Sequence, residues 1–327
     1  GVLVLCASLV GAAILLPPAL ESRAAKELPA AALYFINWRL ADKAVDYFAD
    51  NTEPSLFLQY WSLAIEEQFY AVWPLIVILI AIVAVRFFRN TALARVLMWT
   101  AIAITLMSFG TCLYLTGHNQ PYAFFGTFSR AWQLGVGATI ALLPLVSINV
   151  YARRWMALAG IVAIVFAAVL FTNETPYPGL AAVLPTAGAA ALILAGRRED
   201  IGGLVGRLLK LPAVVHVGRW SYSWYLWHWP VLVLGTAYST ATPWLVFLVL
   251  LSLLLAGLTY YVIEQPARYW PTLTRSPGIS VTAGLLLSLG AAGFAVLAQA
   301  TFAKPMIYLS NGKRLNAEAI RKDKADE

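Results

Sequence analysis

Long apolar stretches, separated by short gaps that hold most of the charged residues, run along the whole chain. A bilayer core about 30 Å thick takes roughly 20 apolar helical residues per crossing, and nine stretches come close to this length. They cover residues 1–19, 61–85, 93–115, 128–145, 155–171, 178–196, 220–238, 243–263 and 279–302. The pattern predicts an all-α fold, a polytopic transmembrane helix bundle of about nine spans.

A tenth apolar stretch, Leu28–Leu40, is too short for a crossing, and Lys26 and Lys43 flank it. We predict an interfacial or re-entrant helix there. The stretch lies within a long segment, residues 21–60, that carries the aromatic residues Tyr34, Phe35, Trp38, Tyr47 and Phe48. Such a connection is often a functional lid. The alternative is an interfacial cap whose Trp and Tyr side chains lie at headgroup level.

Composition and charge change the picture in two ways. Hydrophobic residues make up 61% of the 327 residues and charged residues 12%, against about 45–50% and about 25% in soluble domains, which excludes a water-soluble globular fold. With nine spans, the loops on one side hold twelve cations and three acids, a net charge of +9, and the other side carries −2 of the total of +7. By the positive-inside rule, the first side is cytoplasmic. The excess charge is therefore a signal of topology rather than of nucleic-acid binding.

This topology places Gly1 at the cytoplasmic side and residues 303–327 outside. Cys6 and Cys112 both lie within apolar stretches, so we expect packing residues rather than a disulfide framework or a metal site. The sequence contains no paired-His metal motif and no nucleotide-binding loop.

Two carboxylates lie near the start of a predicted span, in the sequence YWSLAIEEQFYAVWP of residues 60–74. A charged group deep in a span costs about 2.5–3.5 kcal/mol on insertion scales, so such groups mark candidate sites. On a helix, Glu66 shares a face with Ser62, whereas Glu67 points about 100° away, with Tyr70. We predict that one carboxylate faces inward and acts in acid–base chemistry. The alternative is that both lie at the water interface near a helix N-terminus.

Two further side chains are candidates. Arg130, at the external end of the span 128–145, is always charged and needs a partner, either Glu66 or Glu67 or an anionic ligand. Its alternative is to snorkel to the interface. His228 lies within the span 220–238 beside Tyr225, where an imidazole can relay protons. A hydrogen-bonded core histidine is the other interpretation.

Two local features are structural in our interpretation. Gly135 and Gly137 follow Arg130 and permit close approach of a neighbouring helix. In VIEQPARYWP, residues 262–271, Pro266 is predicted to end the helix, and Glu264 and Arg268 to pair around the break.

Four blocks of the chain, in this order, resemble the acyltransferase family 3 membrane proteins. The blocks are WSLAIEEQFY at residues 61–70, RAWQLG at 130–135, GRWSYSWYLWHWP at 218–230 and EQPAR at 264–268. That family moves acyl groups, commonly acetyl, onto hydroxyls of cell-surface glycans. The resemblance implies an integral membrane O-acyltransferase of the cell membrane.

The implied reaction moves the acyl group from a cytoplasmic thioester donor, such as acetyl-CoA, to a hydroxyl of an extracytoplasmic cell-envelope glycan or glycolipid. No bound cofactor or metal is implied. Glu66 or Glu67 would orient or tune the base, Arg130 would bind donor phosphate or the anionic transition state, and His228, the last of the predicted catalytic set, would line the acyl path. The candidates for substrate contacts are Trp61, Ser62, Tyr70, Tyr222 and Tyr225.

The family's catalytic histidine lies on its first helix, ten residues after an arginine, and this chain contains no such pair. Gln59 and Gln133 stand where the family often has His and Glu. We expect about two spans to precede Gly1 in the complete protein, with residues 1–302 forming an acyltransferase-3-like domain that lacks them. Residues 303–327 would be an extracytoplasmic linker to an SGNH-type domain on the same chain.

Two other functions compete with this interpretation. In a transporter or flippase of lipid-linked sugars or hydrophobic metabolites, the buried Glu, Arg and His would be proton or substrate sites. In a membrane anchor for an external domain, they would have no chemical role.

Overall fold

The structure is a computed structural model. It describes residues 1–46, 54–87, 93–144, 147–172, 174–197, 201–302, 306–308 and 314–316. The α-helices of this part are α1 (Val2–Leu15), α2 (Pro18–Ala32), α3 (Ile36–Asp46), α4 (Tyr60–Phe87), α5 (Leu93–His118), α6 (Gln120–Phe125), α7 (Thr127–Leu142), α8 (Val150–Leu170), α9 (Val183–Gly196), α10 (Gly203–Leu209), α11 (Pro212–Thr236), α12 (Thr242–Thr259), α13 (Gln265–Arg268), α14 (Pro271–Arg275) and α15 (Pro277–Phe302). A π-helical segment, Tyr260–Glu264, follows α12.

The predicted helical class is confirmed. The described residues contain only two strands, β1 (Met306–Tyr308) and β2 (Arg314–Asn316). Each has three residues, both follow α15, and they pair antiparallel. Five helical segments are long and apolar enough to cross a membrane: Tyr60–Val83, Leu93–His118, Val150–Leu170, Thr242–Arg275 and Pro277–Phe302. The helices Val2–Leu15 and Val183–Gly196 are apolar but shorter. The chain is therefore a multi-pass membrane protein, and the number nine stays a prediction.

The stretch predicted as one short helix, Leu28–Leu40, is divided between two helices, which corrects the prediction. Residue Tyr34 has a φ of +56°, the amide of Phe35 donates to the carbonyl of Ala30, and the amide of Tyr34 donates to Ala31. These are the two hydrogen bonds of a Schellman motif, which ends α2. Tyr47 and Phe48 of the predicted lid, and most of the tail 303–327, lie outside the described residues.

The chain divides into two compact units. Unit 1 comprises Gly1–Ile36, Thr52–Trp61 and Trp220–Glu327, and unit 2 comprises Asn37–Asn51 and Ser62–Arg219. The predicted catalytic and substrate-contacting residues are distributed over both units.

Unit 1 is organised around α2, which packs against both α1 and α15. The buried residues of α15 are Ala291, Ala295 and Ala298, which share one helix face because they are spaced by four and three positions. Small residues of this kind let two helices approach closely where apolar lipid offers no hydrophobic driving force.

Two indole hydrogen bonds join α11 to α12 in unit 1. The ring N–H of Trp224 donates to Ser252 at 3.0 Å, and that of Trp227 donates to Thr259 at 2.8 Å. Because an unpaired N–H or O–H in an apolar medium is costly, these bonds fix the two helices in register.

The helix does not end at Pro266, contrary to the prediction. The π-helical segment precedes the proline, and the amide of Gln265 donates to the carbonyl of Tyr260, five residues back. The widened turn accommodates a proline that lacks an amide donor, and helical structure continues to Arg268 as α13. The predicted pairing is confirmed, since Arg268 Nη2 lies 2.8 Å from Glu264 Oε1.

Unit 2 packs α5 against α7 and α8 against α9. Ser108 on α5 donates to the carbonyl of Phe128 at 2.6 Å and accepts from the amide of Trp132 at 2.8 Å. A Cβ added at Gly135 would collide with Thr105 of α5, whereas one at Gly137 would meet nothing within 4 Å. Close approach is therefore confirmed at Gly135 and wrong at Gly137.

Cys112 packs with Trp132 and Ala182 in a buried cluster of unit 2. Both Cys6 and Cys112 are free thiols. The contact between α8 and α9 depends on two glycines, because a Cβ at Gly160 would lie 2.6 Å from the carbonyl oxygen of Gly188, and one at Gly188 would lie 2.7 Å from that of Gly160.

We predict that Gly160→Ala lowers the melting temperature of the detergent-solubilised chain, because the new methyl group forces α8 and α9 apart at a cost of about 1–3 kcal/mol. Gly137→Ala is the matched control. Its methyl group meets open space, and Ala is favoured over Gly within a helix by about 1 kcal/mol, so the melting temperature should stay constant or rise. Equal melting temperatures for the two variants would contradict the close packing of α8 on α9.

Candidate functional site

The residues predicted from the sequence fall into two groups, one in each unit. Ser62, Glu66, Glu67, Tyr70 and Arg130 lie in unit 2, and Trp61, Tyr222, Tyr225 and His228 lie in unit 1. The assignment of these residues to a site stays a prediction, and the surroundings of each group show what chemistry it can support.

The two carboxylates of α4 have different surroundings. Glu66 is partly buried and directly follows the buried residues Leu63, Ala64 and Ile65, whereas Glu67 is exposed. This agrees with the helical geometry, which separates their directions by about 100°. Glu66 is therefore the less exposed of the two carboxylates, and Tyr70 on the other face is 58% exposed.

Two residues after Glu66, Gln68 is the centre of a polar network that the sequence analysis missed. Its side-chain amide donates to the Oδ1 of Asn37 at 3.0 Å, and its Oε1 accepts from the indole of Trp38 at 3.3 Å and from the hydroxyl of Thr127. Asn37 is fully buried and donates to Thr127 and to the carbonyl of Phe125, each at 3.1 Å. The network fixes the end of α4 that carries Glu66 to α3 and to the start of α7.

Arg130 is held by aromatic rings and a backbone carbonyl. Arg130 is buried, with 4% of its surface exposed, and its Nε donates to the carbonyl of Phe124 at 2.9 Å. The guanidinium carbon lies 4.9 Å from the ring centroids of both Phe124 and Tyr177. The two ring centroids are 6.2 Å apart, so the guanidinium contacts two adjacent rings, which stabilise the cation, and unit 2 presents a fixed positive charge.

The same end of unit 2 carries a hydrogen bond from the hydroxyl of Tyr122, on α6, to the carboxylate of Asp42, on α3. This bond raises the pKa of Tyr122, because the neighbouring carboxylate disfavours a second negative charge. Trp38 packs beside it, with its ring centroid 6.5 Å from that of Tyr122.

In unit 1, three side-chain hydrogen bonds join α11 to the short segment of residues 54–59. The indole of Trp229 donates to the carbonyl of Ser55 at 2.8 Å, and the hydroxyl of Tyr225 donates to the carbonyl of Gln59 at 2.7 Å. The side chain of Gln59 donates in return to the carbonyl of Leu226 at 3.2 Å. The aromatic motif of α11 thus fastens the residues that lead into α4.

His228 lies beside this fastening. Its Nδ1 is 3.2 Å from the carbonyl oxygen of Trp224, and its ring centroid is 5.5 Å from that of Tyr225. The predicted proximity of His228 and Tyr225 is therefore confirmed. Tyr222 is 43% exposed.

A third polar connection in unit 1 involves the π-helical segment. Glu264 accepts from the hydroxyl of Ser223 at 2.8 Å through one carboxylate oxygen and from Arg268 through the other. The widened turn directs this carboxylate to α11, and π-helical turns of this kind often occur at functional sites. Among the residues described, no group of three or more His, Cys, Asp or Glu side chains could hold a metal ion.

Three comparisons bear on identity. Residues 3–262 match the family model Acyl_transf_3, described as an acyltransferase domain. YrhL of Bacillus subtilis, whose name proposes a peptidoglycan O-acetyltransferase, is 30% identical over 72% of this chain and 38% of its own length. The O-acetyltransferase OatA of Staphylococcus aureus is 28% identical over 78% of this chain and 43% of its own. No solved structure matches the chain.

A further relative, the peptidoglycan O-acetyltransferase OatA of Listeria monocytogenes, is 28% identical over 72% of this chain and 39% of its own length. The chain thus spans about two fifths of the length of these relatives. The family match covers more than half of the chain and includes all the predicted catalytic and substrate-contacting residues, from Trp61 to His228. The chain therefore belongs to the acyltransferase 3 family of membrane proteins.

Proposed function

We propose that the complete protein is a membrane O-acetyltransferase that transfers acetyl groups to hydroxyls of peptidoglycan. The observation that carries this proposal is the family match over residues 3–262, together with two relatives whose names describe O-acetylation of peptidoglycan and one whose name describes O-acetyl transfer. In the reaction, the hydroxyl oxygen bonds to the acyl carbon of a thioester and the carbon–sulfur bond breaks. The proton of the hydroxyl passes through a base to the departing thiolate.

The proposed arrangement in the membrane has nine spans in this chain, with Gly1 at the cytoplasmic face and the residues after α15 outside. The charge asymmetry of the loops supports it. Acetyl-CoA would then serve as the donor at the cytoplasmic face, and the acceptor glycan would enter from outside. An SGNH-type domain on the same chain is proposed to follow residue 327.

The proposed roles rest on the surroundings of each side chain. Glu66, partly buried next to the network of Gln68, would orient or tune the catalytic base. Arg130 would stabilise negative charge on the donor or on the thioester oxygen, since charge fixed in advance is most effective where the medium has a low dielectric constant. His228, with Tyr222 and Tyr225, would line the acyl path.

We predict that Glu66→Gln in the full-length protein lowers kcat for acetyl transfer by about a hundredfold, within the range of general acid–base effects. The measurement is transfer of labelled acetyl groups from acetyl-CoA to peptidoglycan in proteoliposomes. Glu67→Gln is the matched control, because it removes an exposed carboxylate from the adjacent position and should cost less than threefold. Equal activities in the two variants would remove the role of Glu66, and uptake of labelled acetyl groups with no ester formed would favour a transporter.

For Arg130→Lys, we predict that kcat/KM falls by about tenfold or more, because an ammonium group cannot contact both rings as the planar guanidinium does and has no Nε to donate to the carbonyl of Phe124. The matched control is Arg154→Lys, which alters an exposed arginine that lies 6.0 Å from the ring of Tyr151 in the same unit. Its kcat/KM should stay within twofold of the wild type. Full activity of Arg130→Lys at normal expression would show that the planar geometry is dispensable.

A further inference from the structure

Unit 2 contains a cavity of about 520 Å³, which is lined by residues of α6, the end of α8, the connection after it and the start of α9. The volume falls within the range of about 300–1,000 Å³ that is usual for small-molecule sites. In the proposed membrane arrangement, α8 runs outwards and α9 runs inwards, so the connection between them faces the outside of the cell. The cavity is therefore open to a ligand that approaches from that side.

Three aromatic rings form one part of the lining. The ring centroid of Tyr177 lies 6.2 Å from that of Phe124 and 6.3 Å from that of Phe171, and all three residues line the cavity. Phe124 and Tyr177 also contact the guanidinium of the buried Arg130, which holds these rings in place. An aromatic surface that is already formed loses little entropy when a ligand binds.

Two threonine hydroxyls in the connection after α8 also line the cavity. The hydroxyl oxygen of Thr172 accepts from the amide of Glu174 at 3.3 Å, and that of Thr175 accepts from the amide of Thr172 at 3.0 Å. A hydroxyl has one donor and two acceptor lone pairs. No described residue accepts from either O–H, so both hydroxyls can donate to a ligand.

The third polar residue of the lining is Gln120, at the start of α6. Its Nε2 donates to the carbonyl of Tyr177 at 3.5 Å, and Gln120 is exposed. Its Oε1 is a carbonyl oxygen with two lone pairs. The cavity therefore combines hydroxyl donors with an amide acceptor beside an aromatic wall.

The chemistry of the lining selects a class of ligand. None of the described residues that line the cavity carries a charge, so a phosphate or carboxylate would lose its hydration without an ion pair in return. A hydrocarbon chain could contact the rings and the aliphatic residues Ile164 and Ala168, but it would cover the threonine hydroxyls without giving them an acceptor. A saccharide matches both parts of the lining, because its C–H groups pack on the negative face of an aromatic ring and its hydroxyls pair with polar side chains.

The position of the cavity connects it to the proposed reaction. The two rings that it shares with Arg130 each have their centroid 4.9 Å from the guanidinium carbon. A ligand packed against these rings therefore lies about one ring away from the charge proposed to stabilise the thioester oxygen. In acyl transfer the acceptor hydroxyl must approach the carbon that carries this oxygen, so part of the acceptor is expected here.

We propose that this cavity is an acceptor subsite that binds one uncharged sugar ring of the glycan. The rings of Phe171 and Tyr177 contact the C–H face of the sugar, and Thr172, Thr175 and Gln120 pair with its hydroxyl or acetamido groups. This inference rests on the proposed function and deepens it, because it assigns acceptor binding to unit 2. These five residues bind the acceptor and take no part in proton transfer.

The test uses the full-length protein in detergent, with the tetrasaccharide of N-acetylglucosamine as the probe and calorimetry as the binding measurement. Two variants change the cavity by different means: Phe171→Ala removes one ring that does not contact Arg130, and Ala168→Trp fills the space. Val169→Trp is the matched control, since it adds the same ring at the adjacent position, which is 72% exposed and does not line the cavity.

We expect both cavity variants to weaken tetrasaccharide binding by about tenfold or more, because less apolar surface of the sugar becomes buried. With peptidoglycan fragments as acceptor, both should raise the acceptor KM and leave the KM for acetyl-CoA and the melting temperature unchanged. A purely structural role for these positions would lower the melting temperature and change both KM values together. Val169→Trp should match the wild type in every measurement.

The proposal is overturned if Ala168→Trp, at normal expression and melting temperature, leaves both tetrasaccharide binding and the acceptor KM unchanged. Should Phe171→Ala fail to fold, Ala168→Trp alone decides. Loss of co-purified phospholipid from Ala168→Trp, with tetrasaccharide binding unchanged, would identify a lipid site and also overturn the proposal. Failure of the proposed function has a different signature: the wild type would form no acetyl ester, while tetrasaccharide binding would still respond to Ala168→Trp.

Discussion

Polar side chains in a membrane-embedded protein must find partners within the protein, because the lipid offers none, and this constraint organises both units. In unit 2, Gln68 and Asn37 join three helices through hydrogen bonds, and Arg130 contacts two adjacent rings while its Nε donates to a carbonyl. In unit 1, Glu27 and Ser55 form a buried bond. Three of the residues proposed for the site, Arg130, Tyr225 and His228, already have hydrogen-bond partners in place.

The fold class followed from hydrophobic length alone, and each predicted apolar stretch overlaps a helix of at least 14 residues in the described part of the chain. What hydrophobicity could not predict were the ends and interruptions. The Schellman motif after α2 has Tyr34 at the position that usually carries Gly, so no breaker residue marked it. At Pro266, the proline did mark a break, but the π-helical turn before it absorbed the missing donor. Local hydrogen bonding decided both cases, and it leaves no trace in a hydropathy pattern.

The candidate site was predicted unevenly for a related reason. Ionisable residues in apolar segments are visible in a sequence, which is why Glu66, Arg130 and His228 could be predicted as candidate site residues. Asn37 and Gln68 are uncharged and lie 31 residues apart, and Glu27 and Ser55 lie 28 apart in a segment that looked like an external loop. Their importance depends on tertiary contact, and no spacing rule connects them. The family resemblance, in contrast, was carried by contiguous blocks and agrees with the match over residues 3–262.

The fastening of the 54–59 segment has a consequence for sequence divergence. Trp229 and Tyr225 donate to main-chain carbonyls of Ser55 and Gln59, and every amino acid presents the same carbonyl. The acceptor positions are thus free to change identity while the bond survives, whereas the donor positions need an indole and a phenol. Substitutions in this segment are therefore limited by what its side chains do, and not by the main-chain bonds that attach the segment to α11. The side chains of the 54–59 segment could therefore change one by one while the segment stays anchored to α11.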